Sequence, residues 1–288
     1  MTLNFSKMHG LGNDYIYFDC TEKGFPEPEK AAVFISDRHF GVGGDGIVLI
    51  ERPNNSDNAD FRMRMFNADG SEAEMCGNAV RCVAKFLFEK GLTSRTQIPL
   101  ETKAGLIQLN LVIEENESGK NVVKRVKVNM GVPILDPQLI PTTFSSNPPL
   151  SQKLIVDEKE FTVNLVSMGN PHCVIFVDKI TDELVLKWGP RIEVAPQFPK
   201  KINVEFVEVL SKDRAKMRVW ERGSGETLAC GTGASAVVVA GNLTGRLDKQ
   251  VEIELLGGKL EIEIDENNFV WKTGPACFVF EGSIQKCW

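Results

Sequence analysis

The sequence has no excess of basic residues and no long apolar run. Lys and Arg number 33 against 39 Asp and Glu, which gives a formal net charge of −6. Without a basic cluster, nucleic acid is not expected as a partner. No stretch approaches the roughly 20 apolar residues that a membrane-spanning helix needs, and the N-terminus lacks a basic and then apolar signal segment. We therefore expect a soluble, cytoplasmic protein without a membrane contact.

Cysteine spacings typical of metal or redox sites are also missing. The seven cysteines include no C-x-x-C and no C-x(2–4)-C pair, and their odd number and scatter do not suit a disulfide framework. No Walker loop occurs. GVGGDG (41–46) fits the letters of a dinucleotide-binding turn, but a helical pattern precedes it and a strand pattern follows, which is the reverse of that motif. We expect a tight turn there, no metal and no cofactor.

Short alternating segments typical of strands dominate what is present. Segments with helical patterns are few, namely 28–40, 77–91, 181–192 and 231–245. The short links between strands favour hairpins over alternating βαβ units, so we predict an α+β fold. A length of 288 residues suggests two domains, and residues 131–150, with five of the 14 prolines, are the predicted linker.

The chain repeats itself at an interval of 154 residues. FNADGSEAEMCGN (66–78) aligns with WERGSGETLACGT (220–232), and each segment follows a strand and opens a helix. The matched positions are Phe66 with Trp220, Glu72 with Glu226, Cys76 with Cys230, and Gly77 with Gly231. Gly12-Asn13 and Gly169-Asn170 repeat at a similar interval of 157. These matches predict two equivalent halves that face each other.

Each matched cysteine is predicted just before a helix, where unpaired N–H groups and the helix dipole favour an anion. We expect a thiol pKa lowered from about 8.5 into the range of roughly 3.5 to 7.5. The N–H groups of Gly77-Asn78 and Gly231-Thr232 are candidates to bind a substrate carboxylate. One thiolate and one thiol on opposite faces of a carbon suit inversion of a stereocentre. The other five cysteines are expected to be small buried side chains.

Five ordered motifs then show a resemblance to a known family. They are KMHGLGNDY (7–15), FNADGSEAEMCGNAVRC (66–82), GNPHCV (169–174), INVEF (202–206) and ERGSGETLACGTGA (221–234). Together they resemble the diaminopimelate epimerase family. The resemblance implies two pseudo-symmetric lobes, each an antiparallel β-sheet or barrel wrapped around a central helix. Residues 1–130 with 276–288 would form the lobe carrying Cys76, and 131–275 the lobe carrying Cys230.

The resemblance also implies an activity and a set of site residues. The activity is cofactor-independent interconversion of LL- and meso-2,6-diaminopimelate, for lysine and peptidoglycan precursor synthesis, by a homodimer. Cys76 and Cys230 resemble the acid and base, and His172 and Glu221 resemble positions that assist the thiols. The substrate-binding positions implied are Asn13, Asn67, Gly77, Asn78, Asn170, Asn203, Glu221, Arg222, Gly231 and Thr232.

Two positions depart from the pattern of many family members. Gly46 stands where they carry a Gln that touches substrate, so that contact is lost or supplied elsewhere. Phe280 stands where some relatives have a Tyr linked to dimer contacts. Two other functions remain open from the residues alone. One is a proline racemase or hydroxyproline epimerase with the same fold, although the Glu221-Arg222 pair, which suits a second amino-acid head, argues against it. The other is a thiol redox switch or an amino-acid-binding protein without turnover.

Overall fold

The computed structural model describes all 288 residues, Met1–Trp288. In chain order, its first elements are β1 (Thr2–Gly10), β2 (Asn13–Asp19), α1 (Pro28–Ser36), β3 (Gly46–Glu51), β4 (Phe61–Asn67), β5 (Glu72–Ala73), α2 (Ala79–Glu89), β6 (Gln97–Thr102), β7 (Gly105–Glu115) and β8 (Asn121–Asn129). The next are β9 (Gln152–Val156), β10 (Lys159–Ser167), β11 (Pro171–Val177), a π-helical segment (Glu183–Trp188), α3 (Gly189–Glu193), β12 (Asn203–Ser211), β13 (Arg214–Glu221) and β14 (Gly225–Glu226). The last are α4 (Gly231–Leu243), β15 (Gln250–Leu255), β16 (Gly258–Ile264), β17 (Val270–Gly274) and β18 (Cys277–Gln285). None of its helices combines the length and the apolar character that crossing a membrane would require.

The chain divides into two compact units. The first unit is Met1–Asn129 with Thr273–Trp288, and the second is Met130–Lys272. In the first unit, β1 pairs antiparallel with β18 and β2, and β2 pairs parallel with β3. β3 is antiparallel to β4, which pairs with the short β5 and lies parallel to β6. The hairpin partners β6, β7 and β8 complete this sheet.

The second unit repeats the same order of pairings. β10 is antiparallel to β9 and β11, β11 is parallel to β12, and β12 is antiparallel to β13. β13 pairs with the short β14 and lies parallel to β15, which forms a hairpin with β16. The α+β prediction is therefore confirmed. The sheets are mixed rather than antiparallel throughout, because a helical connection precedes the second strand of each parallel pair.

The sequence repeat corresponds to one structural detail built twice. Phe66 lies opposite Glu72 between β4 and β5, and Trp220 lies opposite Glu226 between β13 and β14. The glutamate accepts from an arginine Nε at 2.7 Å in both places, Arg64 in the first unit and Arg218 in the second. The short strand that leads to each matched cysteine is thus fixed by the same ion pair.

One helix is buried inside each unit. In α2, eight of the 11 residues are buried, and in α4, ten of the 13 are buried. A helix that is apolar on nearly every side has to be covered on every side. Strands β1, β2, β7 and β8 pack on α2, and β10, β11, β12, β15 and β16 pack on α4.

The structure corrects two local predictions. The helix predicted over 28–40 ends at Ser36, because the Asp37 carboxylate accepts the N–H groups of His39 and Phe40 at 2.7 Å and forms a turn. Residues 131–150, predicted as a linker, pack on the second unit. Ile134 exchanges two backbone hydrogen bonds with Ser167, and Ile140 is buried in the core.

We predict that Leu165→Ala lowers the free energy of unfolding by about 2–5 kcal/mol, because it leaves a cavity in the core of the second unit. Leu165 is fully buried there. Urea denaturation would measure the change. Leu186→Ala, at a side chain that is 50% exposed, is the control and should change stability by less than about 0.5 kcal/mol. Equal losses in the two variants would contradict this account of the core.

Candidate active site

Cys230 is the N-cap residue of α4. Its backbone is extended, and its Sγ accepts the N–H of Gly233 at 3.4 Å. The hydroxyl of Thr232 lies 3.5 Å from the same sulfur. The thiol therefore stands where the first turn of a buried helix offers unpaired N–H groups. A Cβ added at Gly231 would lie 2.3 Å from the Lys272 Nζ, so a larger residue here would displace that buried side chain.

Burial outweighs the helix dipole at this thiol. The pKa of Cys230 is raised well above its usual value, first by burial and then by the carboxylates of Glu221 and Glu205, while the hydrogen bonds from Thr232 and Gly233 lower it less. The expectation of a lowered pKa is wrong for Cys230. A helix terminus contributes about 2 kcal/mol at most, and desolvation of a buried charge can exceed that.

Glu221, at the end of β13, is the carboxylate that hydrogen-bonds to this thiol. Its pKa is raised by burial, and the hydroxyl of Thr227 and the side chain of Cys230 both oppose that rise by hydrogen bonding. Two groups that interact this closely titrate as a pair. Glu221 is therefore placed to exchange a proton with Cys230.

His172, on β11, lies between the side chains of Glu205 and Asn170. Its Nδ1 is 2.6 Å from the Glu205 Oε1, and its Nε2 is 3.0 Å from the Asn170 Oδ1. The ring and the Glu205 carboxylate are completely buried. Asn203 lies opposite His172 in the parallel register of β11 and β12.

Asn203 ties the ends of two strands together. Its Nδ2 donates to the Pro171 carbonyl at 2.8 Å, and its Oδ1 accepts the N–H of Arg222 at 2.9 Å. Arg222 itself is exposed and donates to the Lys200 carbonyl at 3.5 Å. The second unit thus brings together all of its predicted site residues, at the ends of β11, β12 and β13 and the start of α4. They are Asn170, His172, Asn203, Glu221, Arg222, Cys230, Gly231 and Thr232.

One group of side chains in this unit has the chemistry of metal ligands. Ligand atoms of His172, Glu205 and Cys230 all lie within 4.8 Å of one another. The short contact between His172 Nδ1 and Glu205 Oε1 is a hydrogen bond, and at 2.6 Å it leaves no room for an ion between those two atoms, whose bonds to zinc would each be about 2 Å long. The arrangement therefore fits a hydrogen-bonded cluster.

Cys76, in the first unit, lies before α2 but does not cap it. The N-cap is Asn78, and the Cys76 carbonyl accepts the N–H of Val80 at 3.0 Å. The Cys76 Sγ donates to the Asn13 Oδ1 at 3.2 Å. The Asn13 amide is oriented by Asp45, whose Oδ2 accepts from Nδ2 at 2.8 Å. An oxygen of Asn13 therefore faces the sulfur.

Asp45 was missed by sequence reasoning, which treated GVGGDG only as a glycine turn. Its carboxylate also accepts the N–H of Asp14 at 3.1 Å and a guanidinium N–H of Arg38 at 2.9 Å. The signal that could have identified Asp45 is its position between two glycines in GVGGDG, because an acidic side chain in a tight turn often accepts hydrogen bonds from nearby backbone N–H groups.

Arg81 was missed as well. Its guanidinium is completely buried and donates to the Gly77 carbonyl at 3.1 Å, the Asn78 Oδ1 at 3.0 Å and the Pro275 carbonyl at 3.0 Å. Burial lowers the pKa of Arg81. The cation binds both residues of the Gly77-Asn78 turn, and its position in the first turn of the predicted helix, four residues after Gly77, was the available signal.

Asn67 and Gly46 pair across β3 and β4 at the end of the first sheet. The Asn67 Nδ2 donates to the Ser71 Oγ at 3.0 Å. A Cβ at position 46 would lie 2.1 Å from the Phe66 carbonyl oxygen and 2.9 Å from the Tyr15 ring. This backbone therefore excludes a side chain at position 46. The first unit holds Asn13, Asn67, Cys76, Gly77 and Asn78 of the predicted site.

We predict that the rate of Cys230 alkylation by iodoacetamide rises with pH and reaches its midpoint above pH 8.5, roughly the pKa of an unperturbed thiol. The reason is the raised pKa of Cys230: the group stays neutral at pH 7.5 and becomes a reactive thiolate only at higher pH. Peptide mass spectrometry across a pH series would give the midpoint for each cysteine. A Cys230 midpoint below 8 would mean that the helix dipole, not burial, controls this thiol.

Two solved structures share the fold of this chain at low sequence identity. A hydroxyproline epimerase from Agrobacterium vitis has a TM-score of 0.67 at 14% identity, with 98% of this chain and 92% of that chain covered. A probable proline racemase from Agrobacterium radiobacter has a TM-score of 0.70 at 15% identity, with 99% and 93% covered. At these identities the likeness shows the fold alone.

Sequence comparisons are far stronger for one family. The profile described as diaminopimelate epimerase matches residues 5–135 and 164–279. A diaminopimelate epimerase from Acetivibrio thermocellus is 52% identical over 283 residues, 98% of each chain. One from Methanococcus maripaludis is 49% identical over 283 residues, 98% of this chain and 99% of that protein. The resemblance seen in the motifs is confirmed, and the chain belongs to the diaminopimelate epimerase family.

Proposed function

We propose that the chain interconverts LL- and meso-2,6-diaminopimelate, with Cys76 and Cys230 as its acid and base and without a cofactor. The observation that carries this proposal is the duplicated unit, in which a Cys-Gly pair precedes the one buried helix of each half. The substrate is that of relatives such as the diaminopimelate epimerase of Acetivibrio thermocellus, which is 52% identical over 98% of each chain. The proposed role is in lysine and peptidoglycan precursor synthesis.

The reaction moves one proton at each face of the substrate α-carbon. A thiolate takes the α-proton, so a C–H bond breaks and an S–H bond forms. The opposite thiol gives its proton to the other face of the carbanion, so its S–H bond breaks and a new C–H bond forms. The cysteine roles exchange when the reaction runs backwards. Each half of the pair must therefore be able to exist as both thiol and thiolate.

Neighbouring groups would adjust those two states. Glu221 hydrogen-bonds to Cys230 and can take or return its proton. Asn13 accepts from Cys76. His172 stands beside Cys230 in the buried cluster and assists it. Because enzymes lower barriers by about 8 to 23 kcal/mol and a helix dipole supplies at most about 2, preorganised donors to the developing carbanion have to contribute the larger share.

Substrate binding is proposed at the remaining residues. The N–H groups of Gly77-Asn78 and Gly231-Thr232 would bind the carboxylate next to the reacting carbon. Glu221 and Arg222 would bind the charged groups of the amino-acid head that does not react. The neutral side chains of Asn13, Asn67, Asn170 and Asn203 would complete the contacts without adding net charge.

We predict that Cys76→Ala and Cys230→Ala each reduce epimerisation by about 100-fold or more, since each removes a proton-transfer group. Incubation of LL-diaminopimelate in heavy water, followed by mass spectrometry, measures α-deuteration directly. Cys287→Ala, at an exposed thiol, should keep full activity. Full activity in Cys76→Ala would favour a redox or binding role, and deuteration of proline rather than diaminopimelate would favour a proline racemase.

We also propose that the protein is a cytoplasmic homodimer. The support for a dimer is the pair of exposed apolar side chains Val279 and Phe280 on β18, at 55% and 46% exposure. Phe280 packs edge-on against Phe5 at 5.9 Å, so its ring is held in one place. The scattered thiols suit a reducing compartment.

We predict that Phe280→Asp shifts the protein towards the monomer, because a buried charge at an interface is costly. Light scattering coupled to gel filtration would measure the mass. Val33→Asp, at an apolar side chain of α1 that is 50% exposed, is the matched control and should leave the mass unchanged. A wild-type monomer at micromolar concentration would refute the dimer.

A further inference from the structure

One buried carboxylate of the second unit has no role in the proposed reaction. Glu205 lies on β12 and is completely buried. Its Oε1 contacts the His172 Nδ1 at 2.6 Å, and no group of the protein hydrogen-bonds its Oε2. A half-satisfied carboxylate at this depth carries a desolvation penalty that a single hydrogen bond does not fully offset.

The duplicated unit shows that the fold does not require an acid there. In the parallel pair β11 and β12, Val174 lies opposite Glu205. In the equivalent pair β2 and β3, Tyr17 lies opposite Val48, which is also completely buried. The same place in the same scaffold is therefore filled by valine in one unit and by glutamate in the other. A purely structural need would be met by the apolar side chain.

The carboxylate also touches the turn that holds Cys230. A Cβ added at Gly233 would lie 2.7 Å from the Glu205 Oε1 and 3.3 Å from the Cys230 Sγ. The N–H of the same Gly233 donates to that sulfur. Glu205 is thus packed between the imidazole of His172 on one side and the first turn of α4 on the other.

We propose that Glu205 is a positioning residue of the reaction, which fixes the orientation of the His172 ring by accepting its Nδ1–H and places a negative charge beside the Cys230 thiol. The inference deepens the proposed function and rests on it. With Nδ1–H directed to Glu205, the Nε2 of His172 faces the side-chain amide of Asn170, 3.0 Å away. Glu205 touches neither reacting atom and acts through these neighbours.

Titratable groups from three strands lie next to Cys230: His172 on β11, Glu205 on β12 and Glu221 on β13. Lys272 on β17 packs against the adjacent Gly231. Among them the two carboxylates favour the protonated sulfur. Removing the charge of Glu205 while keeping its shape therefore isolates one of these contributions.

We predict that Glu205→Gln lowers kcat for LL-diaminopimelate about tenfold or more while KM changes less than about threefold, because the substrate contacts remain and the proton-transfer groups lose their alignment. The alkylation midpoint of Cys230 should fall by about one pH unit, since one negative neighbour is lost. In NMR spectra, the downfield Nδ1–H proton of His172, expected for a short bond to a carboxylate, should move upfield.

Glu208→Gln is the matched control. Glu208 lies on the same strand and accepts the N–H of Ile180 at 3.3 Å, away from the cysteine. The kcat of Glu208→Gln should stay within twofold of the wild-type value. The pH midpoint of its Cys230 alkylation should not shift. Any loss of folding in Glu205→Gln would be seen in its melting temperature, and Glu205→Val, which copies Val48, then serves as the second variant.

Unchanged kcat and an unmoved Cys230 midpoint in a folded Glu205 variant would overturn the proposal. So would the lack of a downfield His172 proton in the wild-type protein, which needs no variant. If the wild-type chain fails to exchange deuterium into diaminopimelate, the proposed function is wrong. The alkylation and NMR results would still decide separately whether Glu205 positions His172 and Cys230.

Discussion

The burial of one apolar helix in each unit is the constraint on which the other features depend. Helix α4 is covered by five strands, and its first turn lies against Glu205 of β12. Polar groups gathered at that turn meet the unpaired N–H groups with which a buried helix begins. Cys230 occupies this position as the N-cap. The candidate site therefore lies at the helix start, where backbone N–H groups have no partner within the helix.

The two units share a scaffold but differ in the charges placed in it. Arg81 in α2 and Ser235 in α4 are equivalent by the 154-residue repeat, and each donates to the carbonyl of the glycine after the matched cysteine, Gly77 or Gly231. One unit therefore buries a cation at this point and the other a neutral hydroxyl. At the equivalent positions Val48 and Glu205, the first unit buries a neutral side chain and the second unit buries an acidic one. At Cys230, burial and the neighbouring carboxylates together favour the thiol.

Much of the fold, and the positions of Cys76 and Cys230 just before a buried helix, could be predicted because they depend on local signals. The repeated Cys-Gly, the four helical segments and the strand alternation are each contained within a few residues. The pKa of Cys230 could not be predicted, because burial and the approach of Glu205 and Glu221 arise only from distant strands. In NVEFVEVL, Glu205 has the alternation of a solvated strand face. That face is instead covered by α4, which the strand's own sequence does not reveal.

A raised pKa at Cys230 also bears on how the proposed reaction can run in both directions. Each unit of pKa above the working pH costs about 1.36 kcal/mol to form the thiolate. Since the free protein holds two carboxylates beside the sulfur, that cost has to be met when the substrate binds. A diaminopimelate ammonium group placed near Glu221 would cancel part of the negative potential and thereby lower the cost. In the proposed reaction, the burial and the carboxylates that keep the proton on Cys230 in the free protein would make its release depend on the substrate, which would limit idle reactivity of the thiol.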